Sequence, residues 1–261
     1  MSRTPTEPTR VDVPSSGGVR VAAYRWDPED VPRAVVQLTH GMGEHALRYA
    51  DLAHALNARG YVVYAQDHRG HGATATSPED LGRLGPDGWS ELVGDIDRLR
   101  RRAREEHPDV PFVLLGHSMG SFAVQQYLLD HSRDLDAVVL TGTAAIDLLE
   151  PALDLDAPMD LSAFNAPFEP ARTEYDWLSR DQIQVDRYVQ DPLCGLVSTA
   201  RAARRCSWAP TRSPAPSACR AFVATFRSTS PSASTTRSTV SWLLSTRSST
   251  GCARRACRTS R

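Results

Sequence analysis

Ser118 stands in the middle of Gly116-His117-Ser118-Met119-Gly120, directly after the apolar run 112–115 and at the head of a helical pattern over 118–129. A serine between two glycines at a strand-to-helix turn is a nucleophile elbow. The sharp turn lifts the hydroxyl above the sheet, and the glycines let the turn pack closely against its neighbours. The helix N-terminus aims backbone N–H groups at the same spot, which favours a developing oxyanion. A second loop, His40-Gly41-Met42-Gly43-Glu44-His45, follows the apolar run 34–39. An oxyanion hole on such a scaffold takes one N–H from the residue after the nucleophile, here Met119, and one from the loop after an earlier strand, here Met42. His40, Gly41, Gly43, Gly116, His117 and Gly120 are the expected supports. A plain glycine turn is the competing reading, and the pairing of the two loops counts against it.

A third loop, Asp67-His68-Arg69-Gly70-His71-Gly72, follows the run 61–65. Its side chains are expected to brace loops beside the site without touching substrate. His68 and His71 alone make a poor metal site, since no third ligand completes a recognisable spacing. No metal and no organic cofactor is implied.

The elements that must position these loops alternate. Residues 9–26 read as a hairpin around Ser15-Ser16-Gly17-Gly18, with Val11 and Val13 on one arm and Val19, Val21 and Ala23 on the other. Buried strands are expected at 34–39, 61–65, 111–115 and 137–140. Helices are expected from Tyr49 to a stop near Gly60, over 88–107, and over 118–129. Strands alternating with helices mean a mostly parallel sheet covered on both faces, an α/β fold. From 147 to 195 the alternation stops. That stretch, rich in Pro, Asp and aromatic residues, reads as a cap over the sheet edge, with a short helix at 182–189. Leu148, Leu149, Leu153, Phe164, Phe168 and Trp177 lack core periodicity and are expected to line an acyl pocket. The division is a core at 1–146, a cap at 147–197 and a different kind of sequence at 198–261.

The formal charge of −1 hides that change. All 31 acidic residues fall at or before Asp191, with eighteen of the 30 basic ones. From Pro192 onward there are twelve arginines and no acid. All eight histidines lie at or before His131, and all five cysteines after Asp191. The acidic first part disfavours nucleic-acid binding, and the arginines at 98–104 read as a solvated helix face. The polar N-terminus carries no apolar h-region and no run reaches the length of a membrane span, so a cytoplasmic protein is expected.

HGMGEHALRY, DHRGHG and GHSMG, in this order and spacing, resemble the monoacylglycerol lipase and lysophospholipase group of α/β hydrolases, often called serine aminopeptidase-like. The resemblance runs over 11–195 and includes DWLSRD at 176–181 and DPLCG at 191–195. It implies an α/β-hydrolase fold with a cap, Ser118 as nucleophile, and hydrolysis of a monoacylglycerol or lysophospholipid ester through an acyl-serine. A peptidase or thioesterase uses the same scaffold. It implies a small lipid-like ester as partner, transient contact of the cap with a membrane surface, and no partner protein. Ser121 is a departure, since many members have another glycine there.

A larger departure follows. In this fold the triad runs Ser, acid, His along the chain, and the histidine must shuttle the serine proton. His131, the one histidine after Ser118, lies about 20 Å along the same helix. No acid follows Asp191. Triad acid and triad histidine are therefore both missing from the chain as written, which leaves a non-catalytic binding protein or an Arg/Ser-rich RNA-binding tail as other readings. The preferred reading is a shifted frame. Thirty arginines without one lysine suggest a GC-rich gene. Read from the third base of each codon, most Ser codons become Phe, Leu, Ile or Val. Thr becomes Tyr, His, Asn or Asp, and Ala enters a set that includes Gly. With the free base of each codon chosen, residues 226–242 spell PLYIAVGEHDPVNGEL, an apolar strand and an Asp-bearing loop. The histidine is expected beyond Arg261 in either frame. The nucleotide sequence across 195–261 checks this: the shifted frame should encode an apolar strand followed by an Asp-bearing loop, and its absence there would end the frameshift reading.

Overall fold

The computed structural model describes residues 7–145 and 161–195, with side chains of the second stretch described from Phe164. These residues belong to one compact unit. The expected tail at 198–261, and Leu148, Leu149 and Leu153 of the expected cap, lie outside them.

Apolar and β-branched runs form the sheet. Strand β5 (Ala34–Thr39) pairs in parallel with β6 (Tyr61–Gln66) on one side and β7 (Phe112–His117) on the other; β8 (Ala137–Thr141) continues in parallel beyond β7. The expected hairpin at 9–26 divides into two antiparallel ladders. The outer arms β1 (Thr9–Arg10) and β4 (Ala23–Trp26) pair with each other, and β4 joins β6 at the sheet edge. The inner arms β2 (Val13–Pro14) and β3 (Arg20–Val21) pair Val13 with Val21. Six strands thus lie in the order β1-β4-β6-β5-β7-β8, antiparallel at one edge and parallel elsewhere.

Period-two alternation sends side chains to two faces. Val35, Val62, Tyr64, Phe112 and Leu114 face helices α2 (Gly88–Glu106) and α3 (Met119–His131), meeting Leu92, Ile96, Leu99, Ala123 and Tyr127. Val36, Leu38, Val63 and Ala65 face the other way, where α1 (Ala50–Asn57) supplies Ala53. The strands are apolar on consecutive residues because both faces are covered. Expected and observed bounds differ by one or two residues: β7 continues through Gly116 and His117, and α3 begins at Met119 rather than Ser118. The short helix expected at 182–189 is α4 (Gln182–Gln190), capped by the Asp181 carboxylate, which accepts from the Ile183 N–H at 3.0 Å. Among the described residues no helix is long and apolar enough to cross a membrane.

A buried ion pair ties three distant segments together. The Arg69 guanidinium donates to Asp95 Oδ2 at 2.7 Å, to Ser15 Oγ at 2.6 Å and to Ser16 Oγ at 2.8 Å. Arg98 adds a bond to Asp95 Oδ1 at 2.8 Å. The Asp95 side chain is 1% exposed. The helix face that reads as solvated is thus laced to carboxylates: Arg100 and Arg101 also bond Asp97. Removing one partner of a buried pair strands the other. Asp95→Ala should cost about 3–5 kcal/mol in urea denaturation, well above a typical surface change.

Candidate active site

The site gathers at the carboxyl ends of β5 and β7, where neighbouring parallel strands hand over to loops. Thr39 pairs with Gly116, so the loop after β5 and the elbow after β7 leave the sheet side by side. Ser118 has φ 50° and ψ −123°, a conformation that few non-glycine residues adopt. Such strain costs about 1–3 kcal/mol and persists only where the surroundings impose it. Here they do. The Ser118 N–H donates to the Thr141 carbonyl at 3.0 Å, and the Ser118 carbonyl accepts from the N–H groups of Ser121 at 2.8 Å and Phe122 at 3.2 Å. The Ser121 hydroxyl adds a bond to the same carbonyl at 2.6 Å. The departure at Ser121 therefore braces the elbow instead of loosening it.

The two flanking glycines have separate reasons. A Cβ on Gly116 would come within 2.7 Å of the Ser121 Cα, so β7 could not lie against α3. A Cβ on Gly120 would run into the Thr39 and His40 carbonyls. Gly41 does the same for the opposing loop: its Cβ position lies 3.1 Å from the Ser118 Cβ and 3.5 Å from His117 Cδ2. Loop 40–45 thus abuts the nucleophile. The Gly41 N–H is committed to Glu44 Oε1 at 2.7 Å, which also accepts from the Tyr49 hydroxyl at 2.6 Å. By contrast, no described residue accepts from the N–H of Met42 or of Met119. The structure brings Ser118, Met119, Gly41 and Met42 together. His117 instead turns its Nδ1 to the Thr141 hydroxyl at 2.9 Å.

The loop 67–72 braces the site, as its sequence suggests. Asp67 accepts from the N–H groups of Ala46 and Ala73, each at 2.8 Å. Burial raises its pKa. His40, His68 and His71 are packed together behind the loop, with ring centroids 4.1, 5.4 and 6.4 Å apart. His40 Nε2 accepts from the His68 N–H at 3.0 Å, so its proton sits on Nδ1 and goes to the Gly41 carbonyl at 2.7 Å. His68 Nε2 donates to the His40 carbonyl at 3.1 Å, and His71 Nδ1 to the Arg69 carbonyl at 2.9 Å. These are neutral structural imidazoles.

Sequence reasoning missed Glu44 and Tyr49 as the pair that holds the Gly41 amide. It also missed His45, whose Nε2 bonds Asp191 Oδ2 at 2.8 Å and so joins loop 40–45 to the segment after α4. Beside it the Gly195 N–H donates to the Gly43 carbonyl at 2.9 Å. Only the long separation in sequence hid these pairs. Of the expected acyl-pocket residues, Phe164 and Phe168 stand 52% and 46% exposed, and Phe164 lies 5.1 Å from the Trp177 ring. His131 stacks on Tyr127 at 4.6 Å, at the far end of α3 from Ser118.

Residues 30–209 match the family described as serine aminopeptidase, S33. The chain is 38% identical over 179 residues to a monoacylglycerol lipase of Mycolicibacterium smegmatis, covering 68% of this chain and 62% of that protein. It is 31% identical over 196 residues to the monoglyceride lipase of Mus musculus, covering 73% and 63%. Among solved structures, a thermostable carboxyl esterase of Bacillus coagulans, in complex with glycerol, superposes with a TM-score of 0.64 at 28% identity, covering 77% of this chain and 72% of that one. The chain thus spans under two thirds of the length of these two curated relatives.

The buried imidazoles set an acid limit. Burial lowers the pKa of all three, that of His68 from 6.5 to about 3. The unfolded chain takes up these protons first, so the stability they contribute is full above pH 6.5 and is lost as pH falls from there towards about 3. Each such histidine should cost about 1.4 kcal/mol per pH unit within its window. A urea series should show the midpoint falling below pH 6.5, and less steeply in His68→Gln, which cannot charge.

Proposed function

Because the chain belongs to the serine aminopeptidase S33 family of α/β hydrolases, we propose that its site is built to cleave carboxylic esters of lipids, monoacylglycerols or lysophospholipids, through an acyl-Ser118 intermediate. The observation that carries this is the strained Ser118 set against a loop whose Met42 N–H, like that of Met119, has no acceptor among the described residues. The Ser118 hydroxyl adds to the ester carbonyl. The negative charge moves onto the carbonyl oxygen, where the two N–H groups stabilise it without reorganising. Collapse expels the alcohol and leaves the acyl group on Ser118, which water then releases. The relatives named for monoacylglycerol support the lipid substrate. The exposed Phe164, Phe168 and Ile183 support transient contact of the cap with a lipid surface.

The same chain carries no histidine after His131 and no acid after Asp191. Nucleophile and oxyanion donors are then present without a base, and the chain as written retains at best roughly 10³–10⁴-fold catalysis over water. This is the specific ground for the second reading, a non-catalytic protein that uses the site for binding.

A chain with its frame repaired near Ser198 should react with an activated fluorophosphonate at Ser118. Ser118→Ala should abolish labelling, and label on a different serine would refute the assignment. The repaired enzyme should hydrolyse medium or long acyl glycerol esters faster than acetate esters. Faster turnover of aminoacyl amides would favour a peptidase. The written chain should show little esterase activity, and turnover of monoacylglycerol at an ordinary enzymatic rate would overturn the crippled reading.

A further inference from the structure

One cluster outside the proposed chemistry unites three donors of different kinds. A ring nitrogen of His45, a carboxylate oxygen of Asp191 and Cys194 Sγ all lie within 4.8 Å of one another, and His45 Nε2 is the nitrogen 2.8 Å from Asp191 Oδ2. From this geometry we propose that His45, Asp191 and Cys194 form a site for a divalent transition-metal ion of zinc's chemical class, which clamps the end of the cap to the oxyanion loop.

The donor set is the first argument. One imidazole nitrogen, one carboxylate oxygen and one thiolate are the ligand types of a four-coordinate zinc site, with a water in the fourth position. Calcium or magnesium would ask for more oxygen ligands than the cluster supplies. Orientation is the second. Asp191 Oδ1 is held by the Leu193 N–H at 2.9 Å, and the Cys194 N–H donates to the Asp191 carbonyl at 3.0 Å. That turn fixes the carboxylate and leaves Oδ2, the atom now 2.8 Å from His45 Nε2, as the free ligand. Access is the third. His45 and Asp191 both line a cavity of about 380 Å³ between residues 45–51 and α4, which gives an ion a route in and room for its water. The neighbouring cation Arg48 is paired with Glu44 at 3.5 Å, lies over the Tyr188 ring at 4.9 Å and hydrogen-bonds the Cys194 thiol, a contact that an ion would displace.

The charges balance. A dication meets one carboxylate and one thiolate, so the site becomes neutral. The imidazole binds in its neutral form with its proton on Nδ1. The thiol proton leaves to solvent, so Cys194 releases one proton for each ion bound. His45 and Asp191 are 146 positions apart, so no local ligand spacing announces the site.

The consequence is mechanical. His45 ends the loop that carries Gly41 and Met42, and the Gly43 carbonyl already accepts from the Gly195 N–H at 2.9 Å. An ion here replaces a shared proton with two further bonds across the same seam. Since it binds the folded chain and not a preformed unfolded site, it should raise Tm.

The test uses the full chain with Cys206, Cys219, Cys252 and Cys257 replaced by Ser, which leaves Cys194 as the sole thiol. Cobalt(II) is the probe, titrated with optical detection, with zinc as competitor. One equivalent of cobalt should bind with a sulfur-to-metal charge-transfer band, zinc should bleach the band, and the melting temperature should rise. Cys194→Ser should lose the band and the Tm increment while its metal-free melt matches the parent. Asp191→Asn should keep the band with affinity weaker by at least about tenfold. A band that survives in Cys194→Ser, or no band in the parent, would overturn the site. So would Asp191→Asn binding cobalt as tightly as the parent.

Discussion

The approach of one backbone to another decides where the nucleophile sits. Gly120 rests on the carbonyls of Thr39 and His40, where any β-carbon would collide, and Gly116 rests on the first turn of α3. With both contacts made, the chain between β7 and α3 has too little room for a relaxed turn. Ser118 absorbs the difference in its own dihedrals, at φ 50°. The strain is thus a result of packing β7, α3 and the end of β5 together, and the hydrogen bonds from Thr141, Ser121 and Phe122 only hold it there. The same contact brings Gly41 against Ser118, so the elbow and loop 40–45 are positioned by one constraint.

Behind that contact the protein uses polar groups as bracing, and each is neutral or paired. The three buried histidines give their protons to backbone carbonyls. Asp67 is buried but receives two backbone N–H groups and the Tyr24 hydroxyl. Glu44 receives the Gly41 amide. This last bond has a functional consequence. It spends one loop amide on structure, while the next, at Met42, has no acceptor among the described residues. Rigid support of this kind lets an oxyanion hole act without reorganising when charge appears.

How much of this could be read from the sequence depended on range. The elbow, the oxyanion loop and the alternating elements are local patterns, and each expected strand or helix from 34 to 140 appears within a residue or two of its place. The parallel strands were legible because Val35-Val36 and Val62-Val63 bury consecutive residues, the mark of a sheet covered on both sides. The loop 67–72 was rightly read as bracing, since its polar residues sat between two glycine turns. What stayed hidden was pairing between distant residues. Nothing near His45 names Asp191, and nothing near Arg69 names Ser15 or Asp95. The exposed Phe164 and Phe168 show the opposite limit: apolar residues without periodicity identify a surface, but not which side of it faces a ligand.

The two halves of a serine hydrolase's chemistry make different demands on the chain. The half proposed at Ser118, nucleophile plus oxyanion donors, is drawn from β5, β7 and the loops directly after them, all within residues 34–119. It depends on short-range turns and on strands adjacent in the sheet. The proton-transfer half needs an acid and a histidine that arrive after the cap and must meet Ser118 from the other side. A change of composition such as the one after Asp191 therefore falls unevenly. Among the described residues, the hydrogen bonds that hold Ser118 and the bracing histidines all lie at or before Thr141. The geometry around Ser118 thus rests on short turns and neighbouring parallel strands drawn from residues 34–141.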